Sequence, residues 1–259
     1  MQIDFLSPGR SARVAVLHAD PELSASLSGA RRARAEQLSV AGVLRRAAGL
    51  WEATADADHA RDGFGLLVVD GVLVRRVGVE ERVGAELLGP GDLLQPTLHD
   101  GEEATLPFEA TWRVLSPLQL AVLDSAWVAR MAAFPEVGMA LLARALTRSR
   151  RLASMLAITH YPRLDDRLWL FFWEVADRFG RVRPDGVAVD LPLTHEVVSH
   201  LVGARRPSVS AALARLERDG RLHRRDSGWL LTGQPPTLSP SNSRRPRRRA
   251  ASPSAECSG

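Results

Sequence analysis

The stretch LTHEVVSHLVGARRPSVSAALARLERDGRLHRRDSGWLL, residues 193–231, decides how the C-terminal part of this chain folds. Thr194 is a favourable N-cap residue, so a helix is predicted to begin there. Gly203 falls where the chain must turn sharply, and Pro207 suits the first turn of a second helix. The turn residues 226–228 then separate two short runs and predict a β-hairpin. The stretch is therefore predicted to form a winged helix-turn-helix.

Both predicted helices carry apolar residues at spacings of three and four, which is typical of one buried face. These residues are Val197, Val198, Leu201 and Val202 on the first helix and Val209, Ala212, Leu213 and Leu216 on the second. The opposite face of the second helix is small or basic, as a helix that enters the DNA major groove requires. Its members are Arg206, Ser208, Ser210, Ala211, Ala214, Arg215 and Arg218.

The chemistry of this face separates base contacts from backbone contacts. Arg206 can donate two hydrogen bonds to guanine, and Ala211 is short enough to approach a thymine methyl group. Arg215 and Arg218 are better placed for phosphates, which position a protein without specifying sequence. The wing residues His223, Arg224 and Arg225 can also lie along the DNA backbone. The alternative is a helix-turn-helix that contacts only protein.

Ahead of this module, residues 64–123 contain short β-branched runs that are broken by Gly and Pro. Asp70-Gly71 between two such runs predicts a hairpin, and Gly89-Pro90-Gly91-Asp92 predicts a second tight turn. The pattern favours a small antiparallel barrel or roll. Residues 21–51 are predicted to be helical, with Asp20 as the cap and possible interruptions at Gly29 and Gly42.

A long helix is predicted from residue 136 to residue 159, after Pro135. It carries an apolar seam with the spacing of a helix that packs on another helix. The seam is Met139, Leu142, Leu146, Ser149, Ala153 and Leu156. A neighbouring stripe of Leu141, Ala145, Leu152 and Met155 can dock on the roll, so the seam is predicted to meet a second copy. Burial of the whole helix within one chain is the alternative. A further helix, residues 164–179, is predicted to end at Gly180 in a left-handed cap.

Composition bounds the remaining possibilities. No run of about 18 uncharged apolar residues occurs, so no membrane span is expected, and the N-terminus lacks the pattern of a secretory signal. Cys257 is the only cysteine, which excludes disulfides, cysteine-ligated zinc and iron–sulfur clusters within one chain. A cytoplasmic protein without a metal or cofactor is expected. The net charge of +4 is too small to indicate nucleic-acid binding by itself.

The helix-turn-helix of residues 193–222 resembles that of the Crp–Fnr (cyclic-AMP receptor protein) family of bacterial transcription regulators. The resemblance extends over residues 60–233 through the order of roll, Gly-Pro-Gly-Asp turn, long helix and winged module. It implies an α+β chain: an N-terminal antiparallel β-roll like a cyclic-nucleotide-binding jelly roll, a dimerisation helix, and a C-terminal winged helix-turn-helix. The expected boundaries are 1–124, 125–160, 161–233 and an Arg/Pro/Ser-rich disordered tail at 234–259.

By the same resemblance, Arg206, Ser208 and Ala211 face the groove, Pro207 opens the helix, and Thr194 and Arg205 lie near phosphates. Two departures stand out in this module. Family members usually carry a serine where Arg205 stands, and often a base-reading arginine where Ala211 stands. Specificity at the Ala211 position is therefore expected to be relaxed.

The sensor departs further from the family. A cyclic-nucleotide pocket follows the Gly-Pro-Gly-Asp turn with a Gly-Glu pair and then an arginine that holds the cyclic phosphate. Here Gly101-Glu102 is present, but no arginine occurs between Leu93 and Phe108. A phosphate without a cationic partner is poorly held, so no binding of cyclic AMP is predicted.

The resemblance implies a homodimeric, sequence-specific regulator of a palindromic double-stranded DNA operator, with an unknown effector. A contact with RNA polymerase stays open, because no feature identifies the surface. One alternative is an enzyme on a cupin-like barrel, although residues 64–123 contain only one histidine, His99. Another is a ligand-independent DNA-binding or scaffold protein that uses the module and the arginines of the tail. Those arginines are Arg244, Arg245, Arg247, Arg248 and Arg249.

Overall fold

A computed structural model describes residues 12–60, 62–79, 82–96 and 109–236. The helices are α1 (Val16–Ala19), α2 (Gly29–Leu38), α3 (Ser125–Met131), α4 (Pro135–Thr159), α5 (Leu164–Phe179), α6 (His195–Leu201) and α7 (Arg206–Arg218), with 3-10 helices at Pro21–Ser24 and Ala53–Ala60. None of the helices in these ranges is both long enough and apolar enough to cross a membrane.

Two antiparallel sheets form the roll, and a third belongs to the C-terminal module. The strands of the roll are β1 (Arg13–Ala15), β2 (Val40–Arg46), β3 (Gly49–Trp51), β4 (Gly65–Asp70), β5 (Leu73–Val79), β6 (Arg82–Leu88), β7 (Leu93–Leu94), β8 (Glu109–Val114) and β9 (Leu118–Leu123). The sheet that we call sheet A has the order β1-β2-β9-β4-β7, and the sheet that we call sheet B has the order β3-β8-β5-β6. The predicted antiparallel roll is confirmed, as two facing sheets rather than one closed barrel.

The core between sheets A and B is made of alternate residues from both. Leu66 and Leu120 of sheet A and Leu73 and Trp112 of sheet B are all buried there. Trp51 packs edge-to-face on Trp112, with ring centroids 5.7 Å apart. Alternation along each strand gives one face to this core and the other to whatever lies outside.

The predicted Asp70-Gly71 hairpin is wrong. Strand β4, before the turn, pairs with β9 and β7, whereas β5, after it, pairs with β6 and β8. The turn therefore carries the chain from sheet A to sheet B. Two hydrogen bonds from the loop between β8 and β9 hold this turn in place. Ser116 Oγ accepts from the Val72 amide at 3.0 Å, and the Leu115 amide donates to the Val72 carbonyl at 2.8 Å.

The predicted helix over residues 21–51 is also wrong beyond Leu38. Only Gly29–Leu38 forms an α-helix, and Val40–Arg46 is a strand that pairs with β9 from Gly42↔Val122 to Arg46↔Leu118. Pairing with a distant strand has overridden the local helical preference. Asp20 caps nothing with its side chain; its carboxylate instead binds Arg144 on α4, with Oδ1 2.6 Å from Nη2.

The long helix α4 lies on the roll through one face. Val137 and Leu141 are buried in a cluster with Trp127 of α3, whose indole donates to the Ser39 carbonyl at 2.9 Å. Arg31 of α2 adds an ion pair with Glu136, at 2.9 Å. The docking stripe predicted from the sequence is thus partly right: Leu141 is buried and Met155 is half-buried, but Ala145 and Leu152 stay exposed.

The third sheet has the order β10-β11-β13-β12, from β10 (Gly180–Arg183), β11 (Gly186–Val189), β12 (Leu222–Arg225) and β13 (Gly228–Leu231). The predicted left-handed cap at Gly180 is wrong, because its φ of −76° and ψ of 146° are extended. Gly180 opens β10 instead. A Cβ there would lie 2.3 Å from the Ala176 carbonyl oxygen, so close approach of the backbone explains the glycine.

The C-terminal module docks on the outer face of sheet B. Val72 and Val74 share one apolar cluster with Val197 and Leu201 of α6, and Leu87 of β6 packs against it. The two predicted domains therefore meet through apolar side chains that alternate with the residues of the roll core.

We predict that Gly228→Ala destabilises the module. A Cβ at Gly228 would lie 2.0 Å from the Val189 carbonyl oxygen and 2.9 Å from the Leu191 amide nitrogen, and both are backbone atoms. Overpacking of this kind costs about 1–3 kcal/mol, measured as a lower free energy of unfolding in urea. Gly84→Ala is the control, because nothing lies within 4 Å of its added Cβ. Equal stability of the two variants would contradict the close packing of β13 on β11.

Candidate nucleic-acid interface

Helices α6 and α7 form the predicted helix-turn-helix. Thr194 is the N-cap of α6, and its hydroxyl oxygen accepts from the Val197 amide at 3.2 Å. Gly203 turns the chain with a left-handed φ of 62°, and the Ala204 amide returns to the Ser199 carbonyl at 3.0 Å. The start of α6, the position of Gly203 and the start of α7 at Arg206 are confirmed.

The predicted buried face is confirmed in full. Its members are Val197, Val198, Leu201, Val202, Val209, Ala212, Leu213 and Leu216, and each is at most 7% exposed. They pack around Phe172 of α5 and Trp229 of the wing, whose ring centroids are 5.1 Å apart. The Trp229 indole donates to the Leu193 carbonyl at 3.1 Å, so the wing is tied to the start of α6.

The outer face of α7 is presented to solvent. Its exposed members are Arg205, Arg206, Pro207, Ser208, Ala211, Ala214, Arg215 and Arg218. Arg205 is the N-cap residue but makes no side-chain capping bond. Within the described residues, neither Arg205 nor Arg206 has an ion-pair partner, so both guanidinium groups are free to bind a ligand at the start of α7.

Three residues of the predicted set form contacts between separate elements of the module. Arg215 forms a two-pronged pair with Asp165 of α5, at 2.6 and 2.9 Å. The hydrogen bonds from Arg215 lower the pKa of Asp165, and Asp165 in turn raises the pKa of Arg215. Ser210 lies 2.9 Å from His195 Nδ1 on α6. Arg224 donates to the Leu193 carbonyl at 3.0 Å and lies over the Trp229 ring. These contacts hold the elements of the module together.

The predicted seam on α4 is uncovered. Met139, Leu142, Leu146 and Leu156 are 63, 51, 56 and 62% exposed, and Ser149 and Ala153 are exposed beside them. The opposite side of the same helix carries the buried residues Val137 and Leu141. A helix with one apolar stripe buried and a second left in water has a face that is suited to a further partner.

A cavity of about 460 Å³ lies between α4 and the roll, next to the seam. Arg75 of β5 and Arg148 of α4 reach it, and both bind the carboxylate of Glu86, at 2.9 Å each. Arg75 also lies over the Trp112 ring, 5.7 Å from its centroid. Neither arginine was predicted from the sequence, because both lie outside the stretch from Leu93 to Phe108 in which the resemblance places the cation. Residues 97–108 of that stretch lie outside the described residues, as does the predicted tail beyond residue 236.

Across the described ranges, no group of three or more His, Cys, Asp or Glu side chains is arranged to hold a metal ion.

Comparison with known proteins identifies a domain family and a relative that this chain resembles. The family profile of the Crp-like helix-turn-helix domain matches residues 166–236. The chain is 29% identical over 163 residues to the regulatory protein CysR of Synechococcus elongatus, an alignment that covers 62% of this chain and 70% of that protein.

Solved structures share the fold. A cyclic nucleotide-binding domain containing protein from Listeria monocytogenes superposes with a TM-score of 0.57 at 13% identity, over 73% of this chain and 87% of that one. A CRP-family transcriptional regulator from Thermus thermophilus superposes with a TM-score of 0.52 at 20% identity, over 73% and 92%. The chain therefore carries a Crp-like helix-turn-helix domain behind a roll and a long helix, and it is similar to DNA-binding transcription regulators of the Crp–Fnr type.

Proposed function

We propose that this regulator acts as a homodimer, joined along α4, which reads a palindromic operator with its two copies of α7. The observation that carries the proposal is the exposed apolar seam on α4, more than half exposed at Met139, Leu142, Leu146 and Leu156. Burial of apolar surface stabilises an interface by about 25 cal/mol per Å², and a second copy offers the same seam. Crp–Fnr regulators are typically dimeric. Two-fold symmetry pairs the seam with itself and turns the two recognition helices towards one duplex.

Within each half-site, Arg206 is the proposed base-reading residue, because it is exposed at the start of α7 and has no ion-pair partner among the described residues. A free guanidinium can donate two hydrogen bonds to guanine, and exposed Ser208 and Ala211 leave room for a base edge beside it. Thr194, Arg205 and Arg218 are proposed to contact phosphates. Pro207 opens the helix without a donor of its own.

The engaged residues receive a different role in this proposal. Arg215, Ser210 and Arg224 are proposed to position α7 and the wing through Asp165, His195 and Trp229. A phosphate can reach Arg215 only by competing with a charge-assisted pair. We therefore expect these three side chains to contribute to DNA binding mainly through the shape of the module.

We propose that the roll does not take cyclic AMP as its effector. Arg75 and Arg148 face the roll cavity, but they share Glu86, which already neutralises one of the two charges. A cyclic phosphate would have to displace that carboxylate from both arginines. A cytoplasmic location fits a protein that binds chromosomal DNA. We assign no catalytic activity and no surface for RNA polymerase.

Leu146→Glu is expected to convert the protein to monomers. The substitution removes two leucines from the proposed interface and places two like charges at its centre. The loss of about 3 kcal/mol or more weakens the dimer at least about a hundredfold, as measured by sedimentation equilibrium. Ser154→Glu is the matched control: Ser154 is exposed on the same helix but lies outside the seam. A dimer that survives Leu146→Glu would overturn the proposed interface.

Arg206→Ala and Arg218→Ala are expected to fail in different ways. With an operator selected from a random duplex library, Arg206→Ala should lose about 1–3 kcal/mol of discrimination against an unrelated duplex. Arg218→Ala should lower the affinity for both duplexes by the same factor. It should also reduce the slope of log affinity against log salt concentration by about the value of one phosphate contact. Fluorescence anisotropy at several salt concentrations measures both effects. Unchanged discrimination in Arg206→Ala would remove Arg206 from the base-reading set.

A further inference from the structure

Strand β5 places two consecutive arginines on opposite faces of sheet B. Arg75 points into the roll cavity beside Trp112, and it is paired with Glu86 directly across the ladder. Arg76 lies two residues after Val74, so its side chain is on the same outer face of the sheet and faces the C-terminal module. The two arginines thus lie in separate compartments, and Glu86 serves only the inner one.

A cleft of about 380 Å³ lies outside sheet B, between the roll and α6. The roll side is formed by Val74 and Arg76 of β5 and by Arg113 of β8, which is the ladder partner of Val74. The module side includes Thr194 and Val197 together with Glu196 and His200. This volume is within the range of about 300–1,000 Å³ that is typical of small-molecule sites.

The cleft carries positive charge that the protein does not neutralise. In the part of the chain that the structure describes, neither Arg76 nor Arg113 has an ion-pair partner, and Arg76 Nε is buried without any hydrogen-bond acceptor. Glu196 is the one acidic residue that lines the cleft there. The pKa of His200 is lowered, first by burial and then by the positive charge of Arg76. The negative charge of Glu196 raises it by a smaller amount.

Several half-buried arginines of the described residues differ from Arg76, because each is paired with a carboxylate on another element or loop. They are Arg46 with Asp56, Arg75 and Arg148 with Glu86, Arg144 with Asp20, and Arg178 with Asp92. Two others have different partners: Arg167 donates to the Tyr161 and Val202 carbonyls, and Arg221 lies over the Trp169 ring. Since a buried donor without an acceptor costs about 1–3 kcal/mol, an unpaired arginine at a cleft indicates a missing anion.

We propose that this cleft binds a small phosphate-bearing anion between Arg76 and Arg113 of the roll and His200 of α6. The guanidinium groups supply charge-assisted hydrogen bonds to phosphate oxygens, and a neutral imidazole supplies one further donor. The site is separate from the roll cavity and from the exposed face of α7. Because its walls belong to both domains, an occupied site stabilises the docked arrangement of α6 on sheet B over any other.

Titration calorimetry of the full chain with inorganic pyrophosphate, at constant ionic strength and without DNA, tests this site. We expect saturable binding that Arg76→Gln and Arg113→Gln each weaken about tenfold, the effect of losing one charge-assisted hydrogen bond. Arg45→Gln is the matched control, because Arg45 is exposed on sheet A and has no ion-pair partner among the described residues, and it should leave the affinity unchanged.

Three results would overturn the proposal: no saturable binding by the folded protein, equal weakening by Arg45→Gln, or full affinity in both cleft variants. If pyrophosphate does not bind and, in a separate anisotropy assay, Arg76→Gln loses binding to an unrelated duplex, the cleft serves DNA phosphates instead. Arg113 is exposed, so its variant keeps the test valid if Arg76→Gln does not fold. The assay contains no operator, and its outcome is therefore independent of how α7 reads bases.

Discussion

The alternation of strand β5 is the constraint on which the rest of this structure depends. Leu73 points into the core of the roll and Arg75 into the cavity under α4, whereas Val74 and Arg76 point to the C-terminal module. A shift of one residue in its pairing with β6 and β8 would exchange these faces. The roll core, the cavity under α4 and the junction between the domains would all be lost together. Strand β5 therefore fixes both the interior of the roll and the position of the C-terminal module.

The C-terminal module could be predicted from sequence because its signals are local and agree with one another. An N-cap at Thr194, a left-handed glycine at 203, a proline at 207 and a regular apolar period all indicate the same structure. The failures lie where a distant partner decides. Residues 40–46 become a strand because β9 pairs with them, and Asp70-Gly71 becomes a crossing because its two strands have partners in different sheets.

In the candidate site, too, local features could be predicted from the sequence, whereas contacts with distant residues could not. Sequence periodicity placed Arg206 and Arg215 together on the outer face of α7, and both are exposed. Only the fold shows that Arg215 is held by Asp165, which lies 50 positions earlier, while Arg206 has no ion-pair partner in the part of the chain that the structure describes. Likewise, Arg75 and Arg148 meet at Glu86 from a strand and a helix that are far apart in the chain. Tertiary contacts determine which carboxylate each arginine pairs with. The spacing of residues along one helix therefore cannot predict these partners.

Among the described residues, arginines that pair with carboxylates hold elements of the fold together, whereas Arg206 is proposed to face DNA and Arg76 and Arg113 are proposed to face an anion in the interdomain cleft. We propose that two copies of α7, joined through the α4 seam, read one duplex, and hydroxyl-radical footprinting of the full chain on a selected operator tests this arrangement. We expect two equivalent protected segments, with centres about one helical turn apart and related by the two-fold axis of the operator. A single protected segment, or uniform protection along the duplex, would contradict it.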